Sequence, residues 1–524
     1  MASEGKKGGL IAKFATVGMA TMSSRILGLL REALMAAALG AGPVADVFYT
    51  CFRFPNLFRR LFAEGAFNIA FIPLFAKELE AGGEDAARKF AQQTLSVLLS
   101  WLIVITVLAI AFMPYLVATI VAPGFSDTPE KFELSVTMTR IMFPYLLCMS
   151  LVAMFSGILN SMRKYFLAAF VPVLLNVVLV GILLASLWLE LPARETGLVL
   201  AWGVFASGIL QLVFLTIGVR QEGMHFGFTL PRMTTPVKRL LALMGPALLT
   251  GGVLQINLLI GTIIATRMDG ANALLNYADR LNQLPLGVIG IAVGVVLLPE
   301  LTRALTSGDT EEAENLQNRS LEFALALTLP AAVGLMILPH DIIRLLYERG
   351  AFDVVTTGLV AQALIAFASG LPAYVMIKVF QPAFFARQDM RTPFWYSCIM
   401  VITNIAMSLM LFPIYGHVAI AVATSVSSWV NVLLLITTQW QRGDFRPDML
   451  TLRRLFVISL SSAAMGGLLW VLRIPVAQTL EQGNFLVQFV FLGGLIMIGV
   501  VVYFTLLIVL GGIERSQIKK LLRR

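Results

Sequence analysis

Apolar runs of about twenty residues recur from residue 10 to residue 511 with only short polar breaks between them, and a helix of that length matches the hydrocarbon thickness of a bilayer. This recurrence constrains the fold more than any other feature. Each run must satisfy its own backbone hydrogen bonds where water is absent, which an α-helix does unaided. The chain is 58% hydrophobic, only 13% charged and carries 35 Phe, well outside the composition of a soluble domain. A large soluble domain has no place in it. The start, MASEGKKGGLIAKF, has a basic end and then apolar residues but no convincing cleavage site, and is expected as a retained first helix. Cys51, Cys148 and Cys398 all fall inside apolar runs without metal spacing, as expected of small packing residues rather than a disulfide framework.

Runs bounded by Gly, Pro or charge place helices at 10–40, 45–77, 91–122, 133–160, 166–190, 197–219, 237–267, 271–305, 317–339, 355–385, 393–413, 417–440, 452–472 and 485–511, fourteen spans in all. An even number puts both termini on one side. The breaks on that side hold most of the cations, among them Lys6, Lys7, Arg163, Lys164, Lys238, Arg239, Arg387, Arg391, Arg453 and Arg454, and the tail ERSQIKKLLRR follows; the opposite breaks hold only Lys131, Arg194, Arg267, Arg344, Arg349 and Arg473. Both termini are therefore expected in the cytoplasm. The net charge of +9 follows from this asymmetry and from attraction to anionic lipid, which explains it better than nucleic-acid binding.

The halves echo each other at an offset of about 227 residues, as in transporters built from repeats. FNIAFIPLFAKELEAGGED (67–85) has a counterpart in GVVLLPELTRALTSGDTEE (294–312), Arg163 precedes Asn176 by the interval that separates Arg391 from Asn404, and Arg53 has a near-equivalent in Arg280. These pairs favour two six-helix lobes, 1–219 and 220–440, with a further helix pair and a basic tail in 441–524.

Basic residues inside the spans are few: Arg25, Arg31, Arg53, Arg59, Arg60, Arg140, Arg280 and Lys378. An arginine at mid-bilayer costs at least ~2.5 kcal/mol, so several are tolerated only beside water or a counter-ion. The nearby acids are Glu32, Asp46, Glu64 and, in the second half, Asp279, leaving an excess of positive charge suited to an anionic ligand. Arg fits phosphate because its planar guanidinium donates two hydrogen bonds while remaining charged. Snorkelling or structural pairing explains Arg140 and Lys378 at least as well. Arg60 and Glu64 stand at i and i+4 and are expected to pair, with Arg59 turned about 100° away from Arg60.

Enzymatic motifs are absent or unpersuasive. His225, His340 and His417 are far apart, no aspartates are adjacent, and no GxxxxGK[ST] loop occurs, so a metal site, a magnesium and pyrophosphate site and ATP-driven transport have no support.

The segments SRILGLLREALMAAALGAGPVADVFYTCFRFPNLFRRLFAEGAFNIAFIP (24–73), VAPGFSDTPEKF (121–132), NYADRLNQLPLGVIG (276–290) and FFARQDMRTP (384–393) closely resemble the MurJ (MviN) family over nearly the whole length. The resemblance implies an all-α polytopic membrane protein of the multidrug and polysaccharide exporter superfamily type, with fourteen transmembrane helices, two pseudo-symmetric six-helix lobes around a central cavity and two extra C-terminal helices that offer a groove for a polyprenyl tail. It implies a flippase of the bacterial inner membrane that carries lipid II, the undecaprenyl-pyrophosphate-linked disaccharide pentapeptide, to the outer leaflet by alternating access for peptidoglycan synthesis. The family's cationic cavity positions fall on Arg25, Arg31, Arg59 and Arg280, with Asp46, Arg53, Glu64 and Asp279 as charged neighbours. Gln283 stands where close relatives carry an acid. No enzyme activity, cofactor or metal is implied; drive would come from an ion gradient, the membrane potential or substrate consumption. Membrane lipid and cell-wall synthesis machinery are the expected partners, and nucleic acid is not one. The alternative is a superfamily exporter of drugs or another polyprenyl-linked glycan; a membrane-embedded transferase or a scaffold stands further off.

Overall fold

A computed structural model of the chain describes residues 2–60, 67–227 and 229–512. Helices fill most of them: α1 Ala2–Leu39, α2 Pro43–Phe58, α3 Asn68–Ala111, α4 Met113–Leu116, α5 Pro129–Met142, α6 Tyr145–Ser161, α7 Tyr165–Trp188, α8 Ala193–Gln221, α9 Thr235–Ala265, α10 Ala271–Thr306, α11 Thr310–Ile337, α12 Pro339–Tyr347, α13 Val354–Ala386, α14 Arg391–Tyr415, α15 His417–Arg442, α16 Met449–Gln482 and α17 Phe485–Val509. There is no strand among the described residues.

Most apolar runs became helices within a few residues of the expected limits. The span expected over 45–77 is described only in part: α2 ends at Phe58 in a wider π turn at Arg59 and Arg60, residues 61–66 lie outside the described residues, and α3 opens at Asn68. The cytoplasmic break expected between 77 and 91 is a kink at Gly83, whose non-helical φ of 71° parts α3 into two helical stretches, the second running on to Ala111. The span over 133–160 is two helices, α5 and α6, parted beside Pro144, which has no N–H to continue the ladder. Ten segments among the described residues are long and apolar enough to cross a membrane: α3, α5 with α6, α7, α8, α11, α13, α14, α15, α16 and α17. Helices α1, α2 and α10, which carry the arginines of interest, are not among the ten.

The helices gather into two compact units, Met1–Ala273 with Arg349–Phe352, and Leu274–Glu348 with Asp353–Arg524. In the first, α1 lies along α7, α2 against α5, and α6 between α3 and α8; Phe71 stacks on Phe67, Phe75 and Phe90 in its interior. In the second, α13 packs between α11 and α15 around Phe380, Phe384, Val432 and Leu435. A separate cluster of Leu469, Leu492, Leu495 and Tyr503 joins α16 to α17, and the Tyr503 hydroxyl donates to the Ala326 carbonyl of α11 at 2.6 Å. Large apolar side chains such as Trp188, Trp202, Trp470 and Phe489 stand exposed, as a lipid-facing surface requires.

The repeat shows in local detail. Arg163 (φ 62°) and Gln388 (φ 61°) both turn left-handed just before α7 and α14. In the first unit the APGF loop brings Gly124 onto the backbone of Thr266, its N–H donating to Thr266 Oγ1 at 3.1 Å. The corresponding RGAF loop brings Gly350 onto the backbone of Ala37, where the Ala351 N–H donates to the Ala37 carbonyl at 2.9 Å. Gly350 (φ 57°) and Gly40 (φ 58°) are both left-handed, and a Cβ on either would collide with facing backbone.

Candidate functional site

Helix α1 carries Arg25 and Arg31, and α7 packs along it. Arg31 is held from two sides. Its Nη2 pairs with Glu32 Oε1 at 2.5 Å, and its Nη1 donates to Asn176 Oδ1 of α7 at 3.1 Å. Glu32 is 1% exposed and takes a second hydrogen bond, at 2.5 Å, from the Tyr49 hydroxyl of α2. Asn176 in turn donates from Nδ2 to the Ser24 carbonyl (3.1 Å), Ser24 Oγ (3.3 Å) and the Pro172 carbonyl (3.2 Å). Arg25 is half-buried and has no ion pair or hydrogen bond among the described residues.

Arg53 and Arg59 extend this first-unit set. Arg53 donates to Thr262 Oγ1 of α9 at 2.8 Å. Arg59 is half-buried, its Nε donating to Asn56 Oδ1 at 2.7 Å, whereas Arg60 is exposed. Glu64, expected as the partner of Arg60, lies outside the described residues. Asp46 is placed elsewhere. It is fully buried at the start of α2, pairs with Lys131 at 2.7 Å and accepts the N–H groups of Gly270 and Asn272 at 3.2 and 2.9 Å, so its charge is spent on a knot between α2, α5 and the start of α10. Lys131 also pairs with Asp269 at 2.8 Å and sits 4.0 Å from the centroid of Phe125.

In the second unit, Arg280 is half-buried on α10, and its buried Nε has no hydrogen-bond partner among the described residues. Asp279 accepts from Gln283 one turn on. Gln283 thus works as a donor to the acid beside Arg280, a job that a carboxylate at 283 could not do.

Sequence reasoning missed Lys131, Asn176 and Tyr49. Lys131 was counted as a loop cation, yet it is buried; the signal was its place in the first turn of a helix that begins at Pro129, where the macrodipole disfavours a cation unless an acid offsets it. In the sequence Asn176 marks only the repeat. Outside the spans, Asp389 joins the α13 and α15 ends, its Oδ2 2.8 Å from Arg442. Desolvation alone would raise its carboxyl, but hydrogen bonds from Arg442 and Thr392 outweigh it and bring it to about 2. Among the described residues no group of three His, Cys, Asp or Glu is placed to hold a metal ion.

With this geometry in hand, the likeness to known proteins is extensive. The lipid II flippase MurJ family matches residues 35–493. A probable lipid II flippase MurJ of Rhizobium tropici is 50% identical over 516 residues, 98% of this chain and 97% of that one. The lipid II flippase MurJ of Burkholderia cenocepacia is 37% identical over 462 residues, 87% of this chain and 88% of its own. Among solved structures, lipid II flippase MurJ in an inward closed conformation superimposes with a TM-score of 0.77 at 26% identity, covering 94% of this chain and 97% of that one. An inward-facing multidrug resistance MATE transporter of the MOP superfamily matches with a TM-score of 0.65 at 14% identity over 80% of this chain and 94% of its own, a likeness of fold alone.

Proposed function

The chain belongs to the lipid II flippase MurJ family, a family of multi-pass membrane transporters and not of enzymes, and from that membership we propose that it moves lipid II from the cytoplasmic to the outer leaflet of a bacterial inner membrane by alternating access. The lobes are 1–219 and 220–440, with 441–524 serving the lipid tail and the tail sequence in the cytoplasm, as the charge asymmetry favours. Arg25, Arg31, Arg59 and Arg280 bind the pyrophosphate and sugar headgroup, supported by Arg53 and Asp279; no covalent chemistry is needed, and the polyprenyl chain stays in lipid throughout.

One observation carries the reading of these residues: Arg25 and Arg280 are half-buried arginines in a membrane protein, and among the described residues neither has a carboxylate partner. Such charges are costly unless a ligand or water answers them. A guanidinium with unfilled donors is suited to a phosphate oxygen. Cationic groups that reorient across the bilayer also couple to its potential, at ~2.3 kcal/mol per elementary charge per 100 mV.

The test is complementation in cells depleted of their own flippase, scored by lipid II exposed at the outer face. The wild-type chain restores exposure; Arg280→Ala and Arg25→Ala abolish it at normal membrane abundance. Restored growth without lipid II exposure would point to a different cargo, and loss of abundance in step with loss of function would make these arginines structural.

A further inference from the structure

The Arg31 network carries more than a list of contacts, because of how its hydrogen-bond valences are filled. Adjacent residues on a helix point about 100° apart, so Arg31 and Glu32 do not meet unless something turns the carboxylate toward the guanidinium. The Tyr49 hydroxyl does so by holding Glu32 Oε2 while Oε1 faces Arg31. Asn176 fixes the other side. Its Nδ2 is surrounded by three acceptors, the Ser24 carbonyl and hydroxyl and the Pro172 carbonyl, and only the nitrogen of an amide donates. The orientation of the amide is therefore decided, and Oδ1 must face Arg31.

We propose that Asn176 and Tyr49 are positioning residues that hold the Arg31 guanidinium ready for the pyrophosphate of the substrate. The inference rests on the reading of Arg31 as a headgroup cation. The choice of groups is chemically pointed: an amide oxygen orients a guanidinium without adding charge, whereas a second carboxylate beside Glu32 would leave the group net negative and repel an anion. One N–H of Nη1 and one of Nη2 are spent on Asn176 and Glu32. The Nε–H and the second hydrogen of each Nη remain for phosphate oxygens, and the side chain keeps 16% of its surface exposed. Holding a long side chain in one rotamer before the ligand arrives removes part of the ordering cost of binding.

The experiment measures lipid II binding to the purified full-length protein in detergent for the wild type, Arg31→Ala, Asn176→Ala, Tyr49→Phe, and the doubles Arg31→Ala with Asn176→Ala and Arg31→Ala with Tyr49→Phe. Asn176→Ala and Tyr49→Phe each weaken binding by about three- to tenfold, the coupling typical of residues in one network. In the Arg31→Ala background neither weakens it further, a result that a merely structural role would not give, since a packing defect multiplies through either background. Tyr49→Phe removes a single hydroxyl and keeps the ring, so the test survives if Asn176→Ala folds poorly. Wild-type affinity in both single variants, or losses that multiply in the doubles, would overturn the proposal while leaving Arg31 as a headgroup cation. Wild-type affinity in Arg31→Ala would instead remove the reading on which the proposal stands.

Discussion

Helices α1 and α2 bound two charged regions that differ in one respect. At the start of α2, Asp46 and Lys131 are buried and every strong valence of the Asp46 carboxylate is filled, by an ammonium and two backbone amides. Along α1, Arg25 has no partner among the described residues and Arg31 keeps unspent donors. Both regions put ionised groups in apolar surroundings, so burial does not separate a fastening from a binding site. The filling of valences differs: the Asp46 carboxylate has nothing left to offer, whereas Arg31 keeps donors to spare.

The sharpest way to break this comparison is at the knot. Lys131→Ala leaves Asp46 buried and uncompensated, a change that costs about 3–5 kcal/mol, and the expected outcome is a sharp fall in membrane abundance and thermal midpoint. Lys131→Met combined with Asp46→Asn removes both charges together and recovers much of that loss. Equal abundance for Lys131→Ala and Arg25→Ala would erase the distinction between the two regions.

A smaller effect is expected where the backbone itself closes beside the knot. Gly350→Ala places a Cβ against the Ala37 carbonyl at a left-handed position, at a cost of about 1–3 kcal/mol. The variant melts earlier than wild type by a lesser margin than Lys131→Ala. A midpoint at the wild-type value would mean that this contact bears no weight.

The smallest effect lies outside the bilayer. Because the carboxyl of Asp389 sits at about 2, below the ordinary carboxylate value near 3.9, its contribution is fully present above that ordinary value and is lost as pH falls toward 2. The gap in thermal midpoint between wild type and Asp389→Asn is therefore small at neutral pH, as befits a partly exposed pair, and closes between about pH 4 and 2. A gap that held constant over that interval would mean that the Arg442 contact does not depend on the charge.

Hydropathy read the helices well because burial in lipid and apolar sequence are the same fact: 166–190 was expected and Tyr165–Trp188 observed. It read 133–160 as one helix where Pro144 parts α5 from α6, because continuity there depends on local backbone geometry and not on transfer energy. The arginines were legible for the same reason, since a charge in an apolar run declares itself. Their holders were not. Asn176 lies 145 residues from Arg31 and is an unremarkable amide in an apolar helix until packing brings α7 against α1. Lys131 looked like any loop cation because only the fold sets Asp46 and Asp269 beside it. Glu64 falls outside the described residues, so the pairing expected for Arg60 stays with the sequence.

The glycine loops give the internal duplication a consequence of another kind. The APGF loop seats on Thr266, at the end of α9, and the RGAF loop seats on Ala37, near the end of α1. Each loop thus closes on a helix end far away along the chain. A gene cut within the 222–234 connection would encode two fragments, each with a loop whose seat is on the other, so co-expression should yield a reassembled protein where either fragment alone is degraded.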